Sequence, residues 1–260
     1  MCDTRRVTGR AWGDYINRFH TERAGITERV LGLSVRDDIT PYQWVAAALP
    51  TSSGPCLDLA CGSAPLQPLL APRWLGVDLA ADEIALARAH HSNAPMVRAD
   101  AAVLPFHNSS FEAAICAMGL MVVASVEQTL QELARVVRAG ATVAFLLPGT
   151  RPLTVRDRLR YARLLCALRR VRVPYPRPDV VAHPQRLLRA PGFTVLADER
   201  QTFRYAIRDP HAARALVESL YLPGPPAPRI EDAHQTVLRW VDSDIGIPLR
   251  RVVATRTGDP

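Results

Sequence analysis

The chain has 260 residues, about half of them apolar, so it can bury one sizeable α/β core or a core with an appendage. No apolar run is long enough to span a bilayer, and the start of the chain lacks the apolar segment of a secretory leader, so a cytoplasmic protein is expected. The formal charge is +7, and all 32 basic residues are arginine. With so much Ala and Pro beside the arginines, this is the bias of a GC-rich coding sequence rather than a signature of any partner.

Residues 1–50 read as a helical lid ahead of the main domain. Apolar positions between Trp12 and Leu31 predict a helix over 11–32, with Trp12, Tyr15 and Phe19 on one face. Thr40-Pro41 reads as an N-cap followed by Pro at the first helical position. From Pro55 the pattern becomes β-α-β-α. Strands are predicted at 56–60, 73–78, 95–98, 111–118 and 142–147, and helices at 64–70, 82–91 and 126–138, the last capped by Ser125. Such alternation argues for a parallel sheet with helices on both faces.

Beyond Pro148 the expected elements are a basic helix over 153–170, a Pro-rich connector, a short helix over 184–190 and a strand over 193–207. A helix opened by Asp209-Pro210, another over 230–241 and a last strand over 249–256 complete the chain. The result is seven strands, with insertions at about 151–185 and 208–247 on the substrate side of a domain over 51–260. The segment Arg151 to Arg177 holds nine arginines and one acid, Asp157. It suits an anionic partner, but few aromatics interleave for base stacking, so a solvated helix face is preferred and nucleic acid is not expected. The five cysteines (2, 56, 61, 116 and 166) show no metal spacing, and three of them fall in or beside predicted strands as buried thiols.

The informative stretch is Cys56-Leu57-Asp58-Leu59-Ala60-Cys61-Gly62-Ser63-Ala64-Pro65, followed by Leu75-Gly76-Val77-Asp78 and Arg98-Ala99-Asp100-Ala101. Three apolar strands each end near an acid, the way an open parallel sheet builds a nucleoside pocket at the carboxyl ends of its strands. Alone, each acid has a plainer reading: Asp58 a turn cap, Asp78 a helix cap, Asp100 an Asx turn.

Through these motifs, with Asp100-Ala-Ala-Val-Leu-Pro-Phe106 and Leu130-Gln-Glu-Leu-Ala-Arg-Val-Val-Arg138, residues 50–150 resemble the class I S-adenosylmethionine-dependent methyltransferases. The resemblance is to the small-molecule group related to quinone-biosynthesis C-methyltransferases. It implies a Rossmann-like, mostly parallel seven-stranded sheet. It also implies S-adenosylmethionine as cofactor, S-adenosylhomocysteine as product and a methyl acceptor that is a small molecule, plausibly a secondary metabolite or quinone-like aromatic.

It further implies that the Ala60 carbonyl takes the cofactor ammonium, with Asp58 as negative potential beside it and Gly62 in the close backbone turn. Asp78 would take the ribose hydroxyls, and Asp100 with the Ala101 amide would take adenine. Leu79 would pack on the adenine face, and Met118 would lie along the methionine moiety. The chain departs from the family at Ser63-Ala64-Pro65 and Ala139-Gly140-Ala141, where further glycines are usual, and it carries no His after the fourth strand.

A general base is not fixed by any motif. His20 and Tyr15 on the lid are the candidates, with His211 and Tyr221 in the late insertion behind them. A non-methylating cyclisation around bound cofactor, and RNA methylation, are the alternatives. A monomer or a homodimer fits equally.

Overall fold

The computed structural model describes residues 9–51 and 54–258. Cys2 and the stretch read for a leader lie outside the described residues. Eight strands form one sheet in the order β1-β7-β8-β6-β5-β2-β3-β4. Its parallel half comprises β2 (Cys56–Leu59), β3 (Trp74–Asp78), β4 (Met96–Arg98), β5 (Phe111–Ala117) and β6 (Val137–Pro148). Its antiparallel half adds β8 (Ser243–Arg256), β7 (Phe193–Ile207) and the short β1 (Ser34–Val35). The sheet thus has eight strands rather than seven. The extra one is a two-residue edge strand paired Ser34↔Tyr205 and Val35↔Arg204, too short to carry a period-two pattern.

Both faces of the sheet are covered, and the alternation of buried residues along each strand shows it. Leu57 and Leu59 of β2 share a core with Trp12 and Phe19 of α1 (Gly9–Glu22) and Leu130 and Leu133 of α6 (Val126–Val136). Cys56 of β2 and Ala113 and Ile115 of β5 face the other way, against Trp44 and Val45 of α3 (Pro41–Ala46) and Ala87 of α5 (Ala81–His90). A third cluster joins α2 (Ile26–Gly32), α7 (Val155–Ala167), α10 (Pro210–Glu218) and α11 (Ala227–Leu238) to the far ends of β7 and β8.

Local chemistry sets most boundaries. Thr40 caps α3 in a full capping box with Gln43, and Asp209 caps α10 by accepting from the Ala212 amide at 2.7 Å.

The helix expected over 11–32 is broken into α1 and α2 at Gly25, whose φ of +74° lies in the left-handed region. Ser125 makes no capping hydrogen bond. The turn expected at 138–141 is an excursion within β6, where the register jumps from Phe111↔Val137 to Ala113↔Thr142 and Gly140 takes φ +80°. The helix expected over 64–70 shrinks to α4 (Gln67–Leu70), because Ala64 adopts φ +65°. The Pro-rich connector contains a short helix, α8 (Pro178–Ala182), ahead of the expected one, α9 (Pro184–Arg189). The last strand begins at Ser243, not 249. Its pairing with β7 runs from Ile207↔Ser243 to Ala197↔Val253 before a bulge at Leu196, although Gly246 and Pro248 interrupt its apolar pattern.

Candidate functional site at the carboxyl ends of the parallel strands

The turn after β2 is the centre of the site. Ala60 (φ +56°) and Gly62 (φ +54°) both adopt left-handed backbone, which lifts the chain off the strand. The turn is pinned from β3, since the Gly62 amide donates to Asp78 Oδ2 at 2.8 Å and the Ala80 amide donates to Asp78 Oδ1 at 2.9 Å. Each Asp78 oxygen therefore keeps acceptor capacity in a fixed direction. Burial pushes this carboxyl above its ordinary range, and the two backbone donors oppose that rise.

Asp58 sits beneath the turn, 1% exposed. Its Oδ2 accepts from the Trp74 indole N–H at 2.9 Å, while its Oδ1 is buried with no hydrogen-bond partner. Burial pushes the Asp58 carboxyl up to about 7, partly offset by Trp74 and reinforced by Asp78. An unpaired buried carboxylate oxygen beside an open turn is a place where a cation gains more than it would in water.

Asp100 is exposed beyond β4, with Oδ1 accepting from the Ala102 amide at 2.9 Å. That is the Asx turn of the plainer reading, and it leaves Oδ2 open. Ala101 is buried, whereas Leu79 is 53% exposed at the end of β3. Met118 follows β5 with φ +61°, tied by its amide to the Leu146 carbonyl at 2.8 Å. The structure thus brings Asp58, Ala60, Gly62, Asp78, Leu79, Asp100, Ala101 and Met118 to one edge of the sheet.

These are the features on which comparison with known proteins bears. Residues 57–145 match the family model described as a methyltransferase domain. Over these residues the chain is similar to methyltransferase domains. The chain is 39% identical over 103 residues to a 2-phytyl-1,4-naphtoquinone methyltransferase of Nostoc sp. strain PCC 7120, covering 35% of this chain and 45% of that protein. A protein of the same name from Nostoc punctiforme is 34% identical over 116 residues, covering 40% and 49%. The chain spans about half the length of the curated relatives it matches. Among solved structures, the [4+2]-cyclase SpnF aligns with TM-score 0.60 at 15% identity, over 95% of this chain and 97% of that one. YcgJ from Bacillus subtilis aligns with TM-score 0.56 at 16% identity, over 84% and 99%. These likenesses establish the fold.

Two acids that carry no motif of their own tie the N-terminal helices to the strand ends. Glu83, buried in the first turn of α5, accepts from His20 Nδ1 at 2.8 Å and from the Gly25 amide at 3.0 Å. Glu28 of α2 accepts from the Ser63 hydroxyl, and burial, with Glu83 nearby, pushes Glu28 up to about 7. The Ser63 that departs from the family glycine pattern thus ties α2 to the turn after β2. Gly119 is a second missed residue: a Cβ there would lie 2.4 Å from the Ala60 Cβ. No sequence pattern marks either, because both act across long separations.

Of the base candidates, His20 is held by Glu83 at the end of α1, with its ring 6.3 Å from that of Tyr221. Tyr15 is committed elsewhere, since its hydroxyl accepts from the Leu222 amide at 2.7 Å and burial raises its pKa. His211 is exposed in the first turn of α10; of the four candidates only Tyr221 lines the cavity next to the site, and His20 stands behind it. That cavity, of about 1180 Å³, opens beside Met118 and is bounded by Trp12, Tyr175, Tyr221 and the start of β8. Its lining includes Arg170 to Pro176 from the segment at about 151–185, and Leu216, Ser219, Leu220 and Tyr221 from the segment at about 208–247.

Proposed function

We propose that the chain transfers a methyl group from S-adenosylmethionine to an oxygen or carbon atom of a small apolar acceptor. The observation that carries this reading is the adjacency of two spaces. The acid-lined strand ends fit a nucleoside with a cationic tail, and Met118 is shared between them and a largely apolar cavity of about 1180 Å³. The unpaired Asp58 Oδ1 and the left-handed turn at Ala60 and Gly62 suit the ammonium of the cofactor's methionine end. Asp78 suits the ribose, and Asp100 Oδ2 suits the adenine amino group.

The cofactor supplies the activated methyl group. The protein's part is to place the acceptor in line with it and exclude water. Helix α1 serves as the lid, latched by His20 and Gly25 on Glu83, with Trp12 presented to the cavity. His20 is the proposed base, oriented through Nδ1 so that Nε2 can receive a proton. Tyr15, fixed on Leu222, holds the cavity wall rather than acting on the acceptor. The acceptor is a quinone-like aromatic or another secondary metabolite, and the protein works in the cytoplasm.

Incubation with S-adenosylmethionine labelled in its methyl group, against a panel of hydroquinones and phenols, tests this reading. Label should enter an acceptor, and S-adenosylhomocysteine should inhibit. A second reading, cyclisation around bound cofactor, is favoured by the size of the cavity and by SpnF among the structural neighbours. It is distinguished by turnover that survives replacement of S-adenosylmethionine by S-adenosylhomocysteine. Transfer of label to RNA in place of any small molecule would overturn both.

A further inference from the structure

The charges around the cavity beside Met118 are all of one sign. Its walls include Arg170, Arg172, Arg200 and Arg250, and no Asp or Glu. Arg250 is buried and neutralised, since its Nε and Nη2 donate to the two Asp198 oxygens at 2.7 and 2.6 Å. Arg200 lies 3.7 Å from the same carboxylate. The other two have no carboxylate partner among the described residues. Arg170 is half-buried, with Nη2 donating to the Pro223 carbonyl. Arg172, two residues further along the connector leaving α7, is exposed on the cavity's rim and makes no hydrogen bond or ion pair among the described residues, so the half-buried Arg170 is the stronger of the two anchors. A further polar group on the wall is Thr27 Oγ1, buried beside the Tyr221 hydroxyl and able to share a second hydrogen bond with a ligand.

The remaining wall is mostly apolar, including Leu164, Leu165, Val173, Leu216 and Ile247. An apolar cavity lowers the local dielectric, so an uncompensated guanidinium there attracts an anion more strongly than a surface arginine does. Arg170, steadied on the backbone, is preorganised for that contact.

From this we infer that the cavity takes an apolar molecule bearing one anionic group, with Arg170 and Arg172 binding the anion and Thr27 offering a neutral hydrogen bond to a second polar atom. The inference rests on the proposed function only in naming this molecule as the acceptor; the anion site itself stands on the cavity. Two residues are thereby given roles in specificity: they select a charged acceptor over its neutral analogue.

Two dyes with the same aromatic body test this without knowledge of the acceptor: anilinonaphthalene sulfonate and neutral phenylnaphthylamine. Both should fluoresce on binding the parent protein. The paired change Arg170→Gln with Arg172→Gln should weaken the sulfonate about tenfold, the scale of a lost charge-assisted contact, and leave the neutral dye unchanged. Leu165→Trp, which fills the cavity, should weaken both; Val173→Trp replaces it if that variant does not fold. Dodecanoate and dodecyl phosphate should displace the sulfonate dye at lower concentration than dodecanol.

Unchanged sulfonate affinity in the paired variant overturns the inference. So does retention of both dyes in the cavity-filling variant, or displacement by dodecanol as effective as by either anion. Titration with S-adenosylhomocysteine on the same preparations separates the two claims. Failure to bind it, with the dye results intact, removes the methyltransferase reading and leaves the anion site.

Discussion

The indole N–H of Trp74 reaches back across the β2–β3 pair to Asp58 Oδ2 at 2.9 Å, and among the described residues this contact is the single partner of a carboxylate buried beneath the turn at Ala60. The geometry depends on Gly76, where a Cβ would stand 2.4 Å from the Trp74 ring and 2.8 Å from Cys61 Sγ. Trp74→Phe removes the donor and leaves both carboxylate oxygens without partners. The expected cost is about 1–3 kcal/mol, read as a lower midpoint of urea unfolding at neutral pH. A midpoint equal to that of the parent would show that the contact contributes nothing.

Because burial raises Asp58 and Glu28 to about 7 each, both bind protons more readily folded than unfolded. Their contribution to stability is therefore full below the ordinary carboxyl range and is lost as pH rises through about 7. Asp58→Asn should raise the melting temperature at pH 8, flatten its pH dependence between pH 5 and 8, and weaken S-adenosylmethionine about tenfold. A variant less stable than the parent at pH 8 contradicts the assignment.

Asp157 has the opposite sign. It is fully buried, and although burial alone would raise it, Arg204 at 2.7 Å, the Thr154 hydroxyl at 2.6 Å and the Gly246 amide at 2.9 Å hold it at about 2. Its contribution is present above the ordinary carboxyl range and lost as pH falls through about 2. Asp157→Asn weakens the contact with Arg204, which keeps Asp244 as its carboxylate partner, and should cost about 2 kcal/mol, measured by denaturant unfolding at pH 7. Since Asp157 lies away from the strand ends, cofactor affinity in the folded variant should match the parent.

The lid latch predicts a split between binding and folding. Glu83→Ala removes the acceptor of both His20 Nδ1 and the Gly25 amide. Proteolysis at the α1–α2 junction should accelerate and cofactor affinity should fall several-fold, while the sheet core, which Glu83 does not enter, keeps its unfolding midpoint to within about 1 kcal/mol. Unchanged proteolysis would show that the latch does not hold the lid.

The legible part of the sequence is the part governed by local rules. The parallel strands, the caps at Thr40 and Asp209 and the three acids at strand ends all follow from short-range patterns. What escaped involves contacts between distant segments. Glu83 reads as an ordinary acid in a first helical turn until His20, 63 residues away, is placed beside it. Ser63 reads as a missing glycine until Glu28 is placed against it. The edge strand at Ser34 exists because Tyr205 supplies its partner. The basic stretch 151–177, read as a solvated face, divides in the fold. Arg158 and Arg163 are exposed on α7, whereas Arg170 and Arg172 line the cavity.

The central claim is a cofactor site built from Asp58, Asp78 and the turn between them. Calorimetric titration with S-adenosylmethionine and S-adenosylhomocysteine, on the parent and on Asp78→Ala, tests it most directly. The account predicts micromolar binding of both ligands to the parent and its loss in the variant. Absence of heat with either ligand, or equal affinity in parent and variant, would contradict it.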